Sequence, residues 1–265
     1  MRIELNGEPA DVTDPTVFSL LARIKPGGYA TVDGFSVSED VPLREGMYVC
    51  LFYKDEVPSA SELDALLAAR DTPGVRDKLR SAKVGIAGLG GLGSNVAVML
   101  ARAGVGHLVI VDDDTVDATN LNRQDYEMAD IGRYKADALK DRISRVNPNV
   151  DVESNTSRVD ADNAQSLFSG CGIVVEAFDG AESKAMLINT LLAYPGFRVV
   201  SGNGVAGFGP ANEIITTEPL DRLVMCGDSR TEAGPGCGLT AAHVMIAAAH
   251  QANAVIRMIL GLPVL

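Results

Sequence analysis

The chain has 265 residues, of which 46% are hydrophobic, and it carries a formal net charge of −12 at pH 7. This length allows one large domain or two, with a substantial buried core. The acidic balance argues against a nucleic-acid partner, because no basic surface would attract a phosphate backbone. The longest apolar run, Leu239 to Leu260, is interrupted by polar and charged side chains. It therefore predicts a buried or interfacial helix and no membrane span.

The cysteines have no spacing that is typical of a structural metal site. The four of them are Cys50, Cys171, Cys226 and Cys237. Because none form a C-x-x-C pair, we expect no zinc. The N-terminus does not resemble a secretory signal, so a cytoplasmic protein with free thiols is expected.

The first 57 residues have the element order of a small β-grasp fold. Asn6-Gly7 is a strong two-residue hairpin signal between two short alternating segments. Helical spacing predicts a helix over Thr16–Ile24, and strands are predicted at Tyr29–Val32 and Met47–Tyr53. This order resembles the ubiquitin-like sulfur carriers.

A carrier of that kind ends in an exposed Gly-Gly whose carboxylate is activated. Here the chain continues after Tyr53 as KDEVP, without glycines or a free end. The segment is therefore not expected to be the substrate itself. Two interpretations remain open, namely a docking or structural role and a vestigial fold with no task.

A helical linker separates this segment from the rest of the chain. Ser59 and Glu62 fit a capping box at the start of a helix over Ser59–Arg70. A short helix follows from Val75 to Arg80. We therefore divide the chain into a first domain, residues 1–57, and a second domain, residues 58–265.

The strongest signal in the second domain is a G-x-G-x-x-G turn formed by Gly88, Gly90 and Gly93. It lies between an apolar strand and a helix, and the next strand, Leu108–Val111, ends in Asp112. Glycines let the backbone approach a phosphate, the helix start offers free N–H groups, and the acid can accept hydrogen bonds from a ribose. The pattern predicts a nucleotide site.

Two cations beyond the turn indicate which nucleotide is bound. Arg123 and Lys135 lie on the connection that leaves the second strand. A triphosphate that loses pyrophosphate needs cations there, whereas a dinucleotide is largely satisfied by the glycine turn. Each cation alone would more often lie on a solvated face, but the combination with the glycine turn and Asp112 favours a triphosphate.

Three motifs carry a resemblance to a known family. They are GLGGLGSN at Gly88–Asn95, VDDDTVDATNLNRQ at Val111–Gln124 and GRYKADAL at Gly132–Leu139. From Lys83 onward the chain resembles the ThiF/MoeB/HesA adenylyltransferases of the ubiquitin-activating-enzyme superfamily, and the whole chain resembles a short ThiF with a fused ThiS-like segment. The resemblance implies an α/β fold, with a Rossmann-like sheet and flanking helices preceded by the β-grasp domain.

The resemblance also implies a set of nucleotide contacts. They are Gly88, Gly90, Gly91, Gly93, Asp112, Asp114, Asn120, Arg123, Gln124 and Lys135. In this scheme Asp112 holds the ribose, while Arg123 and Lys135 stabilise charge on the leaving pyrophosphate. Asp114 could instead orient its neighbours.

ATP and Mg²⁺ are the implied cofactors. Asp179 follows a predicted strand, Ile173–Ala177, at the position where the family has a Mg²⁺ ligand. The family usually continues with Asn and, five residues after the aspartate, Arg. This chain has Gly180 and Lys184 there, and lysine lacks the fork geometry of arginine.

Arg70 completes the implied catalytic set with Arg123, Lys135 and Asp179. In the family an arginine ahead of the first strand reaches across a homodimer into the partner's site. The alternative for Arg70 is a cation that satisfies the last carbonyls of its own helix. The small-residue helix Ala241–Ile259 is predicted to be part of the homodimer interface.

Two further segments are candidates for contact with the substrate. Ser201–Gly209 has four glycines in nine residues, which predicts either a segment that lines a channel for a thin Gly-Gly tail or a tight turn between strands. A bulky replacement at Gly204 is the test of the channel. Cys226 and Cys237 flank the region in which some related enzymes carry a thiol that bonds to the carrier, but neither is at the usual position of that thiol. The alternative is that both are small buried residues.

The predicted activity is ATP-dependent adenylation of the C-terminal glycine of a ubiquitin-like sulfur carrier, with thiamin thiazole synthesis as the pathway by resemblance. A sulfur donor protein is a possible second partner. Three alternatives remain: adenylation of a ribosomal peptide, an NAD-dependent oxidoreductase, and a non-catalytic scaffold that binds a carrier.

Overall fold

The computed structural model describes residues 1–68 and 74–265. Contacts between Cα atoms divide the chain into two compact units, Met1–Arg76 and Asp77–Leu265.

The first unit is a five-stranded β-grasp. Its elements are β1 (Arg2–Leu5), β2 (Glu8–Asp11), α1 (Val17–Ile24), β3 (Tyr29–Val32), β4 (Phe35–Ser36), β5 (Tyr48–Phe52) and α2 (Ala60–Ala68). The strands are ordered β2-β1-β5-β3-β4, and α1 packs on one face through a core that includes Leu20, Val49 and Leu51. The predicted hairpin, helix and strands are confirmed, and the short β4 is an addition.

The second face of this sheet is covered by α2. Cys50 and Ala65 are buried together there, with Tyr48 and Leu66 packed against them. The Tyr48 hydroxyl donates to the Ala65 carbonyl at 3.1 Å. The predicted capping box is present at the start of α2, where the backbone N–H of Glu62 donates to the Ser59 hydroxyl.

The second unit is built on a seven-stranded sheet. Its strands are β6 (Lys83–Ala87), β7 (His107–Val111), β8 (Asp151–Asn155), β9 (Ile173–Glu176), β10 (Arg198–Gly202), β11 (Ile215–Leu220) and β12 (Leu223–Gly227). Its helices are α3 (Val75–Ser81, across the division between the units), α4 (Gly91–Ala103), α5 (Lys135–Val146), α6 (Ala164–Leu167), α7 (Ala181–Leu192) and α8 (Ala241–Leu260). The sheet order is β11-β12-β10-β9-β6-β7-β8, and only β11 is antiparallel to its neighbour.

This order is that of a doubly wound nucleotide-binding sheet, so the predicted fold class is confirmed. The chain leaves β6 toward β7 on one side and returns to β9 on the other. Such a reversal opens a crevice at the carboxyl ends of the two central strands. The first turn of α4 packs closely on the Gly88 turn at this crevice. This is possible because Gly93 has no side chain, and a Cβ there would clash with the Gly88 carbonyl.

No helix in the described ranges has both the length and the apolar character needed to cross a membrane, and this includes the 20-residue α8.

Candidate functional site

A cleft of about 360 Å³ opens at the carboxyl ends of β6, β7 and β9. Nine of the predicted site residues line it: Gly88, Gly90, Gly91, Asp112, Asp114, Arg123, Gln124, Lys135 and Asp179. The glycine turn, the acid of β7 and both predicted cations therefore share one cavity.

Asp112 is fixed by the backbone around it. The N–H of Leu89 donates to Asp112 Oδ2 at 2.6 Å, and the N–H of Asp114 donates to Oδ1 at 2.8 Å. Burial raises the pKa of Asp112, and the two N–H donors and Lys135 oppose that rise. Each oxygen keeps a lone pair that can accept a hydrogen bond from a ribose hydroxyl.

Lys135 is a nearly buried cation at the start of α5. Only 8% of its side chain is exposed, and Nζ donates to Asp114 Oδ2 at 2.8 Å. Asp114 is mostly solvated, so it orients the ammonium without enclosing it. This geometry favours the orienting role for Asp114 that the sequence left open.

Arg123 and Gln124 follow a tight turn at Ala118–Asn120 and also line the cleft. Arg123 Nη1 donates to the Thr119 carbonyl at 2.9 Å and to Asn122 Oδ1 at 2.8 Å. The side chain of Gln124 is buried, and its Oε1 has no hydrogen-bond partner among the described residues. An unsatisfied buried acceptor beside a cleft is suited to a donor on a ligand.

Two predicted contacts do not match the positions of their residues. Asn120 is buried, is not among the residues that line the cleft, and exchanges hydrogen bonds with Asp117 at the start of the turn that carries Arg123. Gly93 faces the carbonyl of Gly88. Both residues are buried outside the cavity and support the turns that form it.

Asp179 lies on the exposed loop after β9, and no hydrogen bond or ion pair of its carboxylate is found among the described residues. Lys184 does not line the cleft, since its Nζ donates to Glu176 Oε2 at 2.6 Å. Arg70 lies outside the described residues, so its predicted role stays a prediction.

Part of the cleft wall was not predicted from the sequence. Arg158 and Val159 follow β8, a polar strand that the pattern did not reveal, and Phe178 and Val244 add apolar surface. The rule that ligands bind at the carboxyl ends of parallel strands is the signal that would have found Arg158.

The glycine-rich segment Ser201–Gly209 is only partly a cavity wall. Val205 lines the cleft, but a Cβ on Gly204 would clash with the carboxylate of Asp228 and approach the N–H of Ser229 within 2.7 Å. The bare backbone at Gly204 therefore admits another part of the same chain. Whether Ser201–Gly209 also lines a channel for a tail stays a prediction.

We expect Gly204→Ala to destabilise the second unit more than Gly132→Ala. Both glycines have positive φ, +76° and +87°, but nothing lies within 4 Å of a Cβ on Gly132. Strain alone costs about 1–2 kcal/mol, and the clash at Gly204 adds about 1–3 kcal/mol because the N–H groups of Arg230 and Thr231 hold the Asp228 carboxylate in place. Urea denaturation measures both, and equal losses would contradict this packing.

The structure separates the two candidate thiols. Cys226 is fully buried in β12, and burial raises its pKa to about 11. A protonated, enclosed thiol is a poor nucleophile, so the candidacy of Cys226 is not supported. Cys237 is partly exposed and remains a candidate.

At pH 8, iodoacetamide is expected to modify Cys237 before the other three cysteines. Burial raises the pKa of Cys171 to about 11 and also raises that of Cys50, so both resemble Cys226. Mass spectrometry of digested protein gives the order, and unfolded protein, which should react at all four positions, is the control. If Cys226 were modified as fast as Cys237, the Cys226 thiol would not be buried in β12 as described above.

Comparison with known proteins assigns each part of the chain to a family. The profile of the ThiF family matches residues 63–264, and that of ThiS-like ubiquitin matches residues 1–55. The predicted boundary after residue 57 falls in the interval between these ranges and stays a prediction.

The chain aligns with only part of each of its curated relatives. Adenylyltransferase and sulfurtransferase UBA4 of Eremothecium gossypii is 38% identical over 133 residues, which cover 50% of this chain and 30% of that protein. SAMP-activating enzyme E1 of Haloferax volcanii is 32% identical over 169 residues, which cover 63% of this chain and 62% of that protein. The chain thus spans less than two thirds of the length of these curated relatives.

Solved structures share the fold over about three quarters of this chain. The E. coli tRNA N6-threonylcarbamoyladenosine dehydratase TcdA in complex with ATP has a TM-score of 0.67 at 23% identity, over 74% of this chain and 92% of that chain. E. coli MccB with ATP has a TM-score of 0.56 at 25% identity, over 78% of this chain and 64% of that chain.

Proposed function

The chain belongs to the ThiF family, and on this premise we propose that it uses ATP to adenylate the C-terminal glycine of a separate ubiquitin-like sulfur carrier. One observation carries the proposal: Arg123 and Lys135 line the same cleft as Gly90 and Asp112. The glycine turn and the acid alone would suit NAD equally well. Cations beyond the turn are what a leaving pyrophosphate requires.

In the proposed reaction the tail carboxylate attacks the α-phosphate of ATP, an acyl–phosphate bond forms, and the bond to pyrophosphate breaks. The backbone at Gly88 and Gly90 binds phosphate, and Asp112 accepts hydrogen bonds from the ribose. Lys135 and Arg123 stabilise the negative charge that moves onto the pyrophosphate. Catalysis of this kind is positioning and charge stabilisation, and it requires no protein nucleophile.

A divalent cation belongs to the proposal. Four carboxylates line the cleft, those of Asp112, Asp113, Asp114 and Asp179, against the three cations Arg123, Lys135 and Arg158. A phosphate chain bound there needs more positive charge than these side chains supply. The exposed carboxylate of Asp179 is the residue that would hold Mg²⁺, a hard cation that prefers oxygen ligands. When bound, Mg²⁺ polarises phosphate oxygens and neutralises charge.

The finer assignments rest on the resemblance and on the relatives. The proposed carrier is ThiS-like, with a Gly-Gly tail, and thiamin thiazole synthesis is the proposed pathway. The names of the relatives, an adenylyltransferase and sulfurtransferase and a SAMP-activating E1, support a carrier as substrate. A homodimer with Arg70 acting across it, a sulfur donor protein, and a bond between Cys237 and the carrier are further parts of the proposal.

Adenylation of a ribosomal peptide is the second candidate. It is the alternative nearest to the first candidate, because the same nucleotide chemistry would act on the carboxylate of a different substrate.

The deciding experiment is exchange of labelled pyrophosphate into ATP in the presence of candidate substrates. We expect exchange with a carrier that ends in Gly-Gly and none with the same carrier lacking its last glycine. Exchange with a peptide alone would establish the second candidate. NAD binding without ATP binding would establish an oxidoreductase, and carrier binding without exchange would establish a scaffold.

A further inference from the structure

A fully buried carboxylate lies directly behind the cleft. Glu176 is the last residue of β9, it is 0% exposed, and both of its oxygens accept hydrogen bonds. Oε1 accepts from the N–H of Phe178 at 2.8 Å, and Oε2 accepts from Lys184 Nζ and Ser201 Oγ, each at 2.6 Å. A buried charge persists only when it is paired and hydrogen-bonded in this way.

This cluster holds the segment that carries Asp179. The N–H of Phe178 donates to Glu176, and its carbonyl accepts from Lys184 Nζ at 3.3 Å. One ion pair therefore fixes both polar backbone groups of the residue before Asp179. The glycine turn packs on the same segment, since a Cβ on Gly88 would lie 2.9 Å from the Phe178 ring.

We infer that the buried pair Glu176–Lys184 is a positioning element for Asp179: it sets where the Asp179 carboxylate stands in the cleft and hence how well the site takes a divalent cation with ATP. The inference rests on the proposed function. It gives Lys184 a role that does not depend on touching the nucleotide, because Lys184 acts through Glu176 and Phe178.

The inference is tested by changing the side-chain lengths of Glu176 and Lys184. Glu176→Asp withdraws the carboxylate from the Phe178 N–H and from Lys184, and Lys184→Arg overfills the space between them. The two changes together restore a pair of similar total length. We expect each single variant to raise the Mg²⁺ concentration for half-maximal exchange by about tenfold, as for other groups that orient a metal ligand, and the double variant to return within about threefold of the original.

Binding supplies a readout that is independent of turnover. Calorimetry should show that the single variants lose the gain in ATP affinity that Mg²⁺ confers, while their affinity for ATP without Mg²⁺ is unchanged. The matched controls are Glu153→Asp and Lys83→Arg, which make the same changes in an exposed Lys–Glu pair of the same unit. Ser201→Ala removes one hydrogen bond to Glu176 Oε2 and leaves the ion pair in place, so it should show a smaller shift in the same direction and provides a milder test if the single variants fail to fold.

Variants that melt at lower temperature but keep the original Mg²⁺ dependence would overturn the inference, because the pair would then be structural only. An unchanged Mg²⁺ requirement in folded Ser201→Ala counts against it as well. If no carrier supports exchange by the unmodified protein, the proposed function fails. The coupling of Mg²⁺ to ATP binding still tests the pair in that case.

Discussion

Lys135→Met is expected to lower carrier-dependent ATP–pyrophosphate exchange by about two to three orders of magnitude, the loss typical of removing one preorganised charge-stabilising group. The side chain of Lys135 is 8% exposed, and its ammonium lies 2.8 Å from Asp114 Oδ2. Methionine keeps the packing of the methylene chain, and the Asp114 carboxylate left behind is mostly solvated. The substitution should therefore change the stability of the folded protein little, while it removes the positive charge of Lys135 from the cleft.

The matched control is Lys140→Met, the same chemical change at an exposed position of the same helix α5. It should leave both exchange and thermal stability near those of the unmodified protein. Single-turnover measurements with saturating ATP separate binding from chemistry. If Lys135→Met exchanges pyrophosphate at close to the original rate, the cation is not used on the leaving group and the proposed mechanism is wrong.

Asp179→Asn should also lower the rate of ATP–pyrophosphate exchange, by at least about 100-fold. An amide is a poor ligand for Mg²⁺, and the cation supplies several kcal/mol of charge stabilisation. When Mg²⁺ is absent, the same substitution should not weaken the binding of ATP. Removing a carboxylate from a cleft that already holds three others lowers repulsion with the phosphates. ATP without Mg²⁺ should then bind as tightly as before or more tightly.

Glu182→Gln is the control for that charge change, since Glu182 is exposed three residues further on, in the first turn of α7. It should alter neither the Mg²⁺ requirement nor the exchange rate. Calorimetric titrations of ATP with and without Mg²⁺ provide the measurement. Weaker binding of ATP by Asp179→Asn in both conditions would indicate that Asp179 contacts the nucleotide directly and is not a metal ligand.

Local signals explain why the N-terminal elements and the nucleotide turn were predictable. Asn6-Gly7 favours one type of hairpin, and the side chain of Thr16 caps α1 where the pattern placed its start. The glycine turn between β6 and α4 needs only neighbouring residues for its geometry. The cations Arg123 and Lys135 could be assigned to the cleft because their motifs were specific.

The parts that could not be predicted depend on contacts between distant segments. β8 is a polar edge strand with one buried residue, so its sequence has no apolar run, and Arg158 beyond it was missed. Glu176 ends an apolar strand, and its partners Lys184 and Ser201 come from α7 and β10. The close approach of Asp228 to Gly204 could not be predicted, because Asp228 lies 24 residues further along the chain.

The helix α2 has a consequence for how the ubiquitin-like unit meets other proteins. A sheet with one bare face could offer that face to a visiting protein, but here the chain's own next segment already occupies the middle of it, around Cys50 and Ala65. Any visitor using that face would first have to displace α2, breaking the bond from Tyr48 to Ala65 and the ion pair between Lys25 and Glu62. While α2 stays packed, this face of the sheet is closed to other proteins.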